Sequence, residues 1–518
     1  MGRACTPALG RRRAAFLLSG LVGLGCGGGD YWLGGATENA GAGGPPTQSL
    51  GGDWELVGTD PVEIGGGDGP CRIAGNGFGI FTMGTFSGDL WIHDCTFTGL
   101  GTADTPAIEV FVSDRSSVRI ERCTFSASGA IRIGNADATS TRLEDNVVLA
   151  DSVVALDPSG LSTPAFELVG DSTAPKLFRG NRVYRGRVRL ASPNWLAGGD
   201  GDADTNLLLG LRAGFSLGAP GLVVRGNYVH PAHLADSGDE SALDTEYSVS
   251  DALAEHNVLR WGTWVVRGFG GEFRYNAVLD ADNLAFVQQP FENTTIHHNV
   301  LAMCTPARGN EPIQGGIELV NDRAGGIAIF NNTLDGGGLP ARFGGPAISI
   351  ESGSRLASVR SNVFQHFFFA ANNGAAAVRP GPTEGTDPPP DRLDDADYNL
   401  FDNDGEIAPH NYGVRVPNRT LRSDAGFGLN DATAGGPVDE QVSAELAEGD
   451  ACFPFSDDDV RAGRVAVSEM LAAIRARFSP APTSPVLGHG DPADEPENFI
   501  GAIGDGTSGS DRFGRFGR

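Results

Sequence analysis

The hexapeptides FRYNAV (residues 273–278) and IHHNVL (residues 296–301) share one frame: an apolar residue, two polar or aromatic residues, Asn, any residue, then a second apolar residue. Outward from them the frame returns as LEDNVV (143–148), FRGNRV (178–183), VRGNYV (224–229), IFNNTL (329–334), VRSNVF (359–364) and ADYNLF (396–401). The Asn slot is filled at Asn146, Asn181, Asn227, Asn257, Asn276, Asn299, Asn332, Asn362 and Asn399, and by Cys95 and Cys123 at the start of the series. Copies recur at intervals of about 20 to 40 residues, the repeat length of solenoids.

Apolar residues stand three before and two after the slot, as in Ile92/Phe97, Ile120/Phe125, Leu143/Val148, Phe178/Val183, Val224/Val229, Phe273/Val278, Ile296/Leu301, Ile329/Leu334, Val359/Phe364 and Ala396/Phe401. Asn257, preceded three back by Ala254, is a weak copy. The spacing predicts two strands meeting at a tight corner, with an inward Asn hydrogen bonding to the Asn of the coils above and below. None of these repeat segments holds a 3.6-residue period over ten or more residues as a helical repeat needs. The expected fold is all-β: a parallel β-helix of about eleven or more coils with an Asn ladder.

A solenoid grows in one direction, so 518 residues do not count domains here. With 76 Gly, 31 Pro and 40% hydrophobic residues, the chain is too apolar for disorder and too turn-rich for helices. Against 38 Lys and Arg stand 65 Asp and Glu, a net charge of −27, which repels nucleic acid. An acidic polysaccharide is repelled too, except at local Arg clusters or bridging cations. Lys176 is the single lysine.

From about Trp91 to Ile503 the chain resembles the right-handed parallel β-helix proteins of the pectate-lyase-like superfamily. The order DADYNLF (395–401), SDAGF (423–427), SPVLGHGDP (484–492) and IGAIG (500–504) is similar to the closing segment of bacterial secreted members. LWIHDCTF (90–97) resembles the WIDHC segment of pectate lyases with His93 and Asp94 transposed, which supports the fold and carries over no role. The three-aspartate set of polygalacturonases has no counterpart, and no lysine stands where a lyase base would. Calcium-dependent lyases use Arg for that step, so the resemblance leaves Arg274 and Arg360 as candidates.

The order of residues 1–26, arginines then AAFLLSGLVGLG then Cys26, is that of an export signal, too short to span a bilayer as a permanent helix. Its end, VGLGC, resembles a bacterial lipobox with Gly23 in place of the usual Leu, which implies lipidation of Cys26 and an outer-membrane or cell-surface anchor by lipid alone; the alternative is a secreted or periplasmic protein without the lipid. Residues 27–52 read as a flexible tether and 53–90 as an N-terminal cap and first coils. The β-helix proper is expected over 91–405. Residues 406–518 are expected to hold C-terminal coils, a helix over 457–478 that closes the solenoid's end, and a closing segment.

Stacking should align residues one and two before the slot into an outward ridge: Glu255/His256, Arg274/Tyr275, His297/His298, Phe330/Asn331 and Arg360/Ser361. His256, Tyr275, His298, Arg274 and Arg360 are its candidate catalytic groups, able to exchange protons or stabilise charge, with Glu255, His297 and Asn331 as substrate contacts. Asp200, Asp202, Asp204 and Asn206 offer oxygen ligands at alternate positions, a weak calcium candidate lacking the usual Gly and terminal Glu, with a solvated acidic loop as the favoured reading. His230, His233, Asp236, Asp239 and Glu240 surround Pro231, which argues for a polar corner loop rather than a helical metal display. Cys95 and Cys123, on neighbouring coils, are expected as stacked thiols. The functional expectation is an exported, surface-anchored protein that binds or processes extracellular polysaccharide, as a lyase or glycoside hydrolase if it is an enzyme. The alternative is a structural or adhesive rod.

Overall fold

A computed structural model describes residues 47–66, 69–82, 86–110, 117–134, 147–150, 153–156, 165–169, 174–232, 241–245, 251–262, 264–281, 284–288, 294–304, 315–319, 326–336, 347–350, 356–365, 378–380, 395–402, 432–433, 453–480, 499–503 and the single positions 487, 490 and 513. Each coil contributes one strand to each of three parallel sheets, in the fixed order sheet I, sheet II, sheet III. Among the described residues sheet I has 15 strands and sheets II and III have 13 each. The fold is a parallel β-helix. Regular coils begin earlier than the sequence suggests, with strands Gln48–Ser49, Trp54–Leu56 and Val62–Ile64.

The frame residues do what their spacing requires. Ile92, Phe178, Val224, Phe273, Ile296 and Ile329 lie at the inward ends of sheet III strands, buried in one continuous core. Each such side chain contributes about 1.5–3 kcal/mol by leaving water. In-register stacking also sets aromatic contacts: Phe97 and Phe125 pair across sheet I with ring centroids 4.8 Å apart, one strand spacing.

Between sheets III and I the chain turns on a residue with left-handed φ followed by the slot residue. The left-handed positions include Asp94, Arg122, Gly180, Gly226, His256, Tyr275, His298, Asn331, Ser361 and Tyr398, with φ between 50° and 66°. Glycine at 180 and 226 adopts this at no steric cost, and Asn, Asp and His tolerate it better than most residues. The slot is then a buried Asn whose Oδ1 accepts from the preceding Asn. Asn257 shows the unit: its N–H and Nδ2 donate to Asn276 Oδ1 at 3.0 and 2.9 Å, and Nδ2 also donates to Val224 O at 2.8 Å. Despite Ala254 before it, Asn257 is a full rung.

The ladder runs unbroken from Asn181 through Asn206 to Asn399. Two expectations change here. Asn206, read as a calcium ligand, is a fully buried rung, accepting from Asn181 at 3.2 Å and donating to Asn227 at 2.8 Å. It escaped the frame because residues 199–205 are inserted at its corner, after Ala197, which pairs with Phe178. LEDNVV (143–148) is out of register. Leu149 pairs with Ile120 and Phe178, and Val154 with Phe125 and Val183, so position 152 rather than Asn146 falls at the slot. Positions 146 and 152 themselves lie outside the described residues.

Cysteines also pair differently. Cys71, in register with Cys95, forms a disulfide with it across a Cα separation of 4.6 Å. Cys123 stays a buried thiol, its Sγ 3.3 Å from Glu121 O. Burial pushes that thiol up to about 11. The expected stack of two thiols at 95 and 123 is thus replaced by one disulfide and one thiol. Cys304 is disulfide-bonded as well, to a cysteine outside the described residues.

Helices α1 (Asp457–Arg461) and α2 (Val467–Phe478) follow. Ser456 caps α1 by accepting from Asp459 N–H at 3.1 Å, and Glu469 accepts from Ala466 N–H at 3.0 Å ahead of α2. Val467, Met470, Leu471, Ile474 and Phe478 form the buried stripe of α2. That stripe packs on the outer face of sheet I, against a cluster with Leu207, Tyr228, Val258, Ala277 and Val300. The helix pair therefore lies on the flank of the middle coils, whereas the sequence suggested the C-terminal end. The outer face of sheet I is apolar in these coils and needs a cover.

Candidate functional site

The ridge is assembled as expected but is not a solvated surface. Glu255, His256, Tyr275, His297, His298 and Asn331 are all buried, His298 to 2% exposure. Part of the cover is the closing segment. Asn331 Nδ2 donates to Phe499 O at 2.8 Å, Gly501 N–H donates to Ser361 O at 2.7 Å, and the Phe499 ring meets His298 at 6.0 Å. His256 stacks on Tyr275 at 5.3 Å. Burial holds His256 down to about 4, so it is neutral at pH 7 and a weak base. Burial lowers His297 too, against the opposing effect of Glu272.

Ridge charges are spent on one another. Arg274 bonds Glu255 and Glu272 at 2.7 Å each, and Arg225 pairs with Glu255 and with Asp200. His297 contacts Glu272 through Nε2 at 2.9 Å and His298 through Nδ1 at 2.8 Å. Since a carboxylate only accepts, His297 Nε2 carries the proton, and one proton lies between the two Nδ1 atoms. Arg360 pairs with Asp395. A substrate reaching this row would have to displace both the closing segment and these pairs.

The acidic loop does not converge. Asp200 faces Arg225 at 2.7 Å, Asp204 faces Arg179 at 3.2 Å, and Asp202 accepts from Ser468 Oγ of α2 at 2.8 Å. Among the described residues no three His, Cys, Asp or Glu side chains gather to hold a metal ion. His230 contacts Tyr228 Oη at 3.2 Å and lies 3.7 Å from Asp457 in α1. Residues 233–240 and Cys26 lie outside the described residues. Near the N-terminus His93 is held between Asp94 and Glu63 at 2.7 and 2.8 Å and stacks on Trp91. Arg122 and then His93 hold the Asp94 carboxyl well below the usual carboxylate range.

On a different face the arginines keep part of their side chains in solvent around a buried carboxylate, Asp244. On sheet II the outward positions of successive strands are Glu109, Arg132, Glu167, Arg189, Ser216, Asp244 and Arg267, joined rung to rung by the strand register. Glu167 is shared by Arg132 and Arg189 at 3.3 and 3.0 Å. Asp244 is shared by Arg187 and Arg267, whose guanidiniums donate to the same Oδ2 at 3.0 and 2.7 Å. Arg187 also reaches Ser241 Oγ at 3.1 Å. Burial pushes Arg187 below its ordinary range, Asp244 opposes this, and the like charges of Arg267 and Arg212 add to it. Four arginines (Arg132, Arg187, Arg189, Arg267) thus face three carboxylates (Glu109, Glu167, Asp244), a locally positive strip in a chain of net charge −27.

No family model and no curated protein matches this sequence. Among solved structures, the crystal structure of the periplasmic alginate epimerase AlgG is similar, at 12% identity and a TM-score of 0.33, over 58% of this chain and 74% of that one.

The Asp244 site was invisible to the Asn frame because its members sit a third of a coil away from the corner, at irregular intervals in sequence. The signal was there in IRI (131–133), FEL (166–168) and VRL (188–190), short apolar–polar–apolar triplets whose middle residue is charged, and in LDT (243–245), where Thr takes the last place. Only the register shows that those middle residues stack.

Proposed function

We propose that this chain is an exported β-helix protein that binds or processes extracellular polysaccharide along the outer face of sheet II, with the Arg187–Asp244–Arg267 cluster as its anchor. The carrying observation is Asp244 with two arginines on one carboxylate oxygen, set in a row of polar rungs at strand spacing. That spacing, about 4.8 Å, is close to the advance of one sugar unit, so a linear glycan laid along the axis would meet a polar group at each step. An acidic glycan fits best: the strip is a place of excess arginine on a surface that otherwise repels anions. Attachment through a lipid on Cys26 belongs to the same reading, supported by the sequence of residues 1–26.

The test is a binding and turnover screen of the purified chain against neutral and acidic glycans, reading affinity and the release of unsaturated or reducing ends. Binding of an acidic glycan that weakens tenfold or more in Arg267→Ala and stays intact in His256→Ala supports the sheet II site. Loss in His256→Ala alone would return the site to the corner ridge, and absence of any glycan binding would favour the structural rod. Mass spectrometry of the membrane fraction, wild type against Cys26→Ala, tests the lipid.

A further inference from the structure

The third face carries a pattern that glycan binding does not use. On sheet III the strand register aligns the outward positions Arg119, Leu177, Leu196, Val223, Leu253 and Glu272 into one line, with strand Val147–Ala150 between the first two. Leu177, Leu196, Val223 and Leu253 are half-buried, each with part of its side chain in solvent. They form an apolar stripe on a regular sheet, while α1 and α2 spend their apolar residues on sheet I. A charged strand bounds the stripe at each end. Strand Val118–Glu121 lies three strands before strand Trp195–Gly198, and strand Gly271–Arg274 lies three strands after it.

Those two boundary strands hold the same charges in opposite order. One reads Arg119 then Glu121, salt-bridged at 3.0 Å; the other reads Glu272 then Arg274, salt-bridged at 2.7 Å. Arg119 and Glu272 are well exposed, at 48% and 38% of their side chains.

We propose that this face is a self-complementary interface that pairs two copies of this chain about a two-fold axis running along strand Trp195–Gly198. The axis inverts strand order and keeps position along each strand. Leu196 then meets its own copy and Leu177 meets Val223. Three strand spacings out, about 14 Å, Arg119 faces Glu272 and Glu121 faces Arg274. Arg179 and Arg225 also come opposite each other, but each is matched within its own copy, by Asp204 and Asp200. Seven strands by four residues give a footprint of about 30 by 13 Å, roughly 400 Å² per copy, below the roughly 800 Å² of a standard stable interface. The dimer is therefore weak and depends on concentration.

Sedimentation velocity of the full chain from about 1 to about 100 µM tests it, with a mass rising toward twice the monomer as the expected result. The decisive variant reverses one pair, Arg119→Glu with Glu121→Arg. It keeps the in-strand bridge but sets like charges against the partner, and should weaken association at least about tenfold. Adding Glu272→Arg with Arg274→Glu should restore it. Val223→Arg, on a half-exposed position, should abolish association with an unchanged circular dichroism spectrum. A chain monomeric throughout, whether its stripe is bare or covered by another of its own segments, overturns the proposal, as does a dimer indifferent to the reversal.

Discussion

Asn331 Nδ2 donates to the carbonyl of Phe499 at 2.8 Å, tying the αL corner of one coil to a closing segment 168 residues later. Asn331 also holds φ at 50°, so its replacement acts in two ways. Asn331→Gly removes the hydrogen bond and keeps the backbone unstrained, whereas Asn331→Ala removes the bond and adds left-handed strain. We expect a loss of about 1–3 kcal/mol for Gly and more for Ala, with faster deuterium uptake across residues 499–503 in both. Unchanged uptake there would show that the segment is held elsewhere.

Asn257 serves two coils at once, accepting from Asn227 and donating to Asn276. Asn257→Ala strands the Asn227 backbone N–H in the core, while Asn227 Nδ2 keeps Ala197 O and Arg225 O, and should cost about 1–3 kcal/mol, read as a lowered denaturation midpoint. Asn399→Ala, at the last rung, should cost less.

Asp244 keeps two arginines from facing each other. Asp244→Ala should destabilise by about 2–3 kcal/mol, less than a fully buried pair because the guanidiniums keep part of their solvent contact. Combining it with Arg267→Ala should recover part of that loss in chemical denaturation. A double variant no better than the single would mean that Arg187 and Arg267 do not repel.

Lys176 points into the core, its Nζ donating to Ala174 O and Pro193 O at 2.8 and 2.7 Å. Burial lowers its pKa from 10.5 to about 8. Between those values the unfolded chain binds the proton more tightly, so stability must rise with pH from about 8 to about 10.5, and the cost of up to about 3 kcal/mol is fully present below 8. Lys176→Met should flatten that rise in a pH series of thermal melts; an equal rise in the variant would assign it to other groups.

Non-reducing peptide mapping should recover Cys71 linked to Cys95. Cys123 should alkylate only after unfolding, since it is both buried and shifted up to about 11. Alkylation of Cys123 in the native protein would contradict its packing.

Much of the architecture was legible because the Asn frame recurs at the corner between sheets III and I in coil after coil from Asn181 to Asn399. Nearest-neighbour stacking makes one coil's solution serve for the next. The copies that failed were those where local sequence and register part company. Asn206 follows an insertion that hides Ala197 from it, and LEDNVV matches the frame in letters while strand pairing uses Leu149 and Val154. The ridge was read correctly in its alignment and wrongly in its exposure. His298 and Asn331 are outward from the coil, but a segment some 170 residues downstream lies on them, and no local spacing encodes that.

The sequence by itself determined the corner of each coil: its two strands, its buried Asn column and the inward row from Ile92 to Ala396 follow from which side chains can leave water and which must find a partner when they do. Tertiary structure alone decided which faces remain for function. The closing segment and α2 take the corner row and the outer face of sheet I, leaving the partly exposed arginines around the buried Asp244 on sheet II and the half-buried Leu177–Leu253 stripe on sheet III. The reason is physical. Burial of a residue depends on everything that packs over it, and in a solenoid whose tail folds back along its flank, that cover comes from far away in the chain.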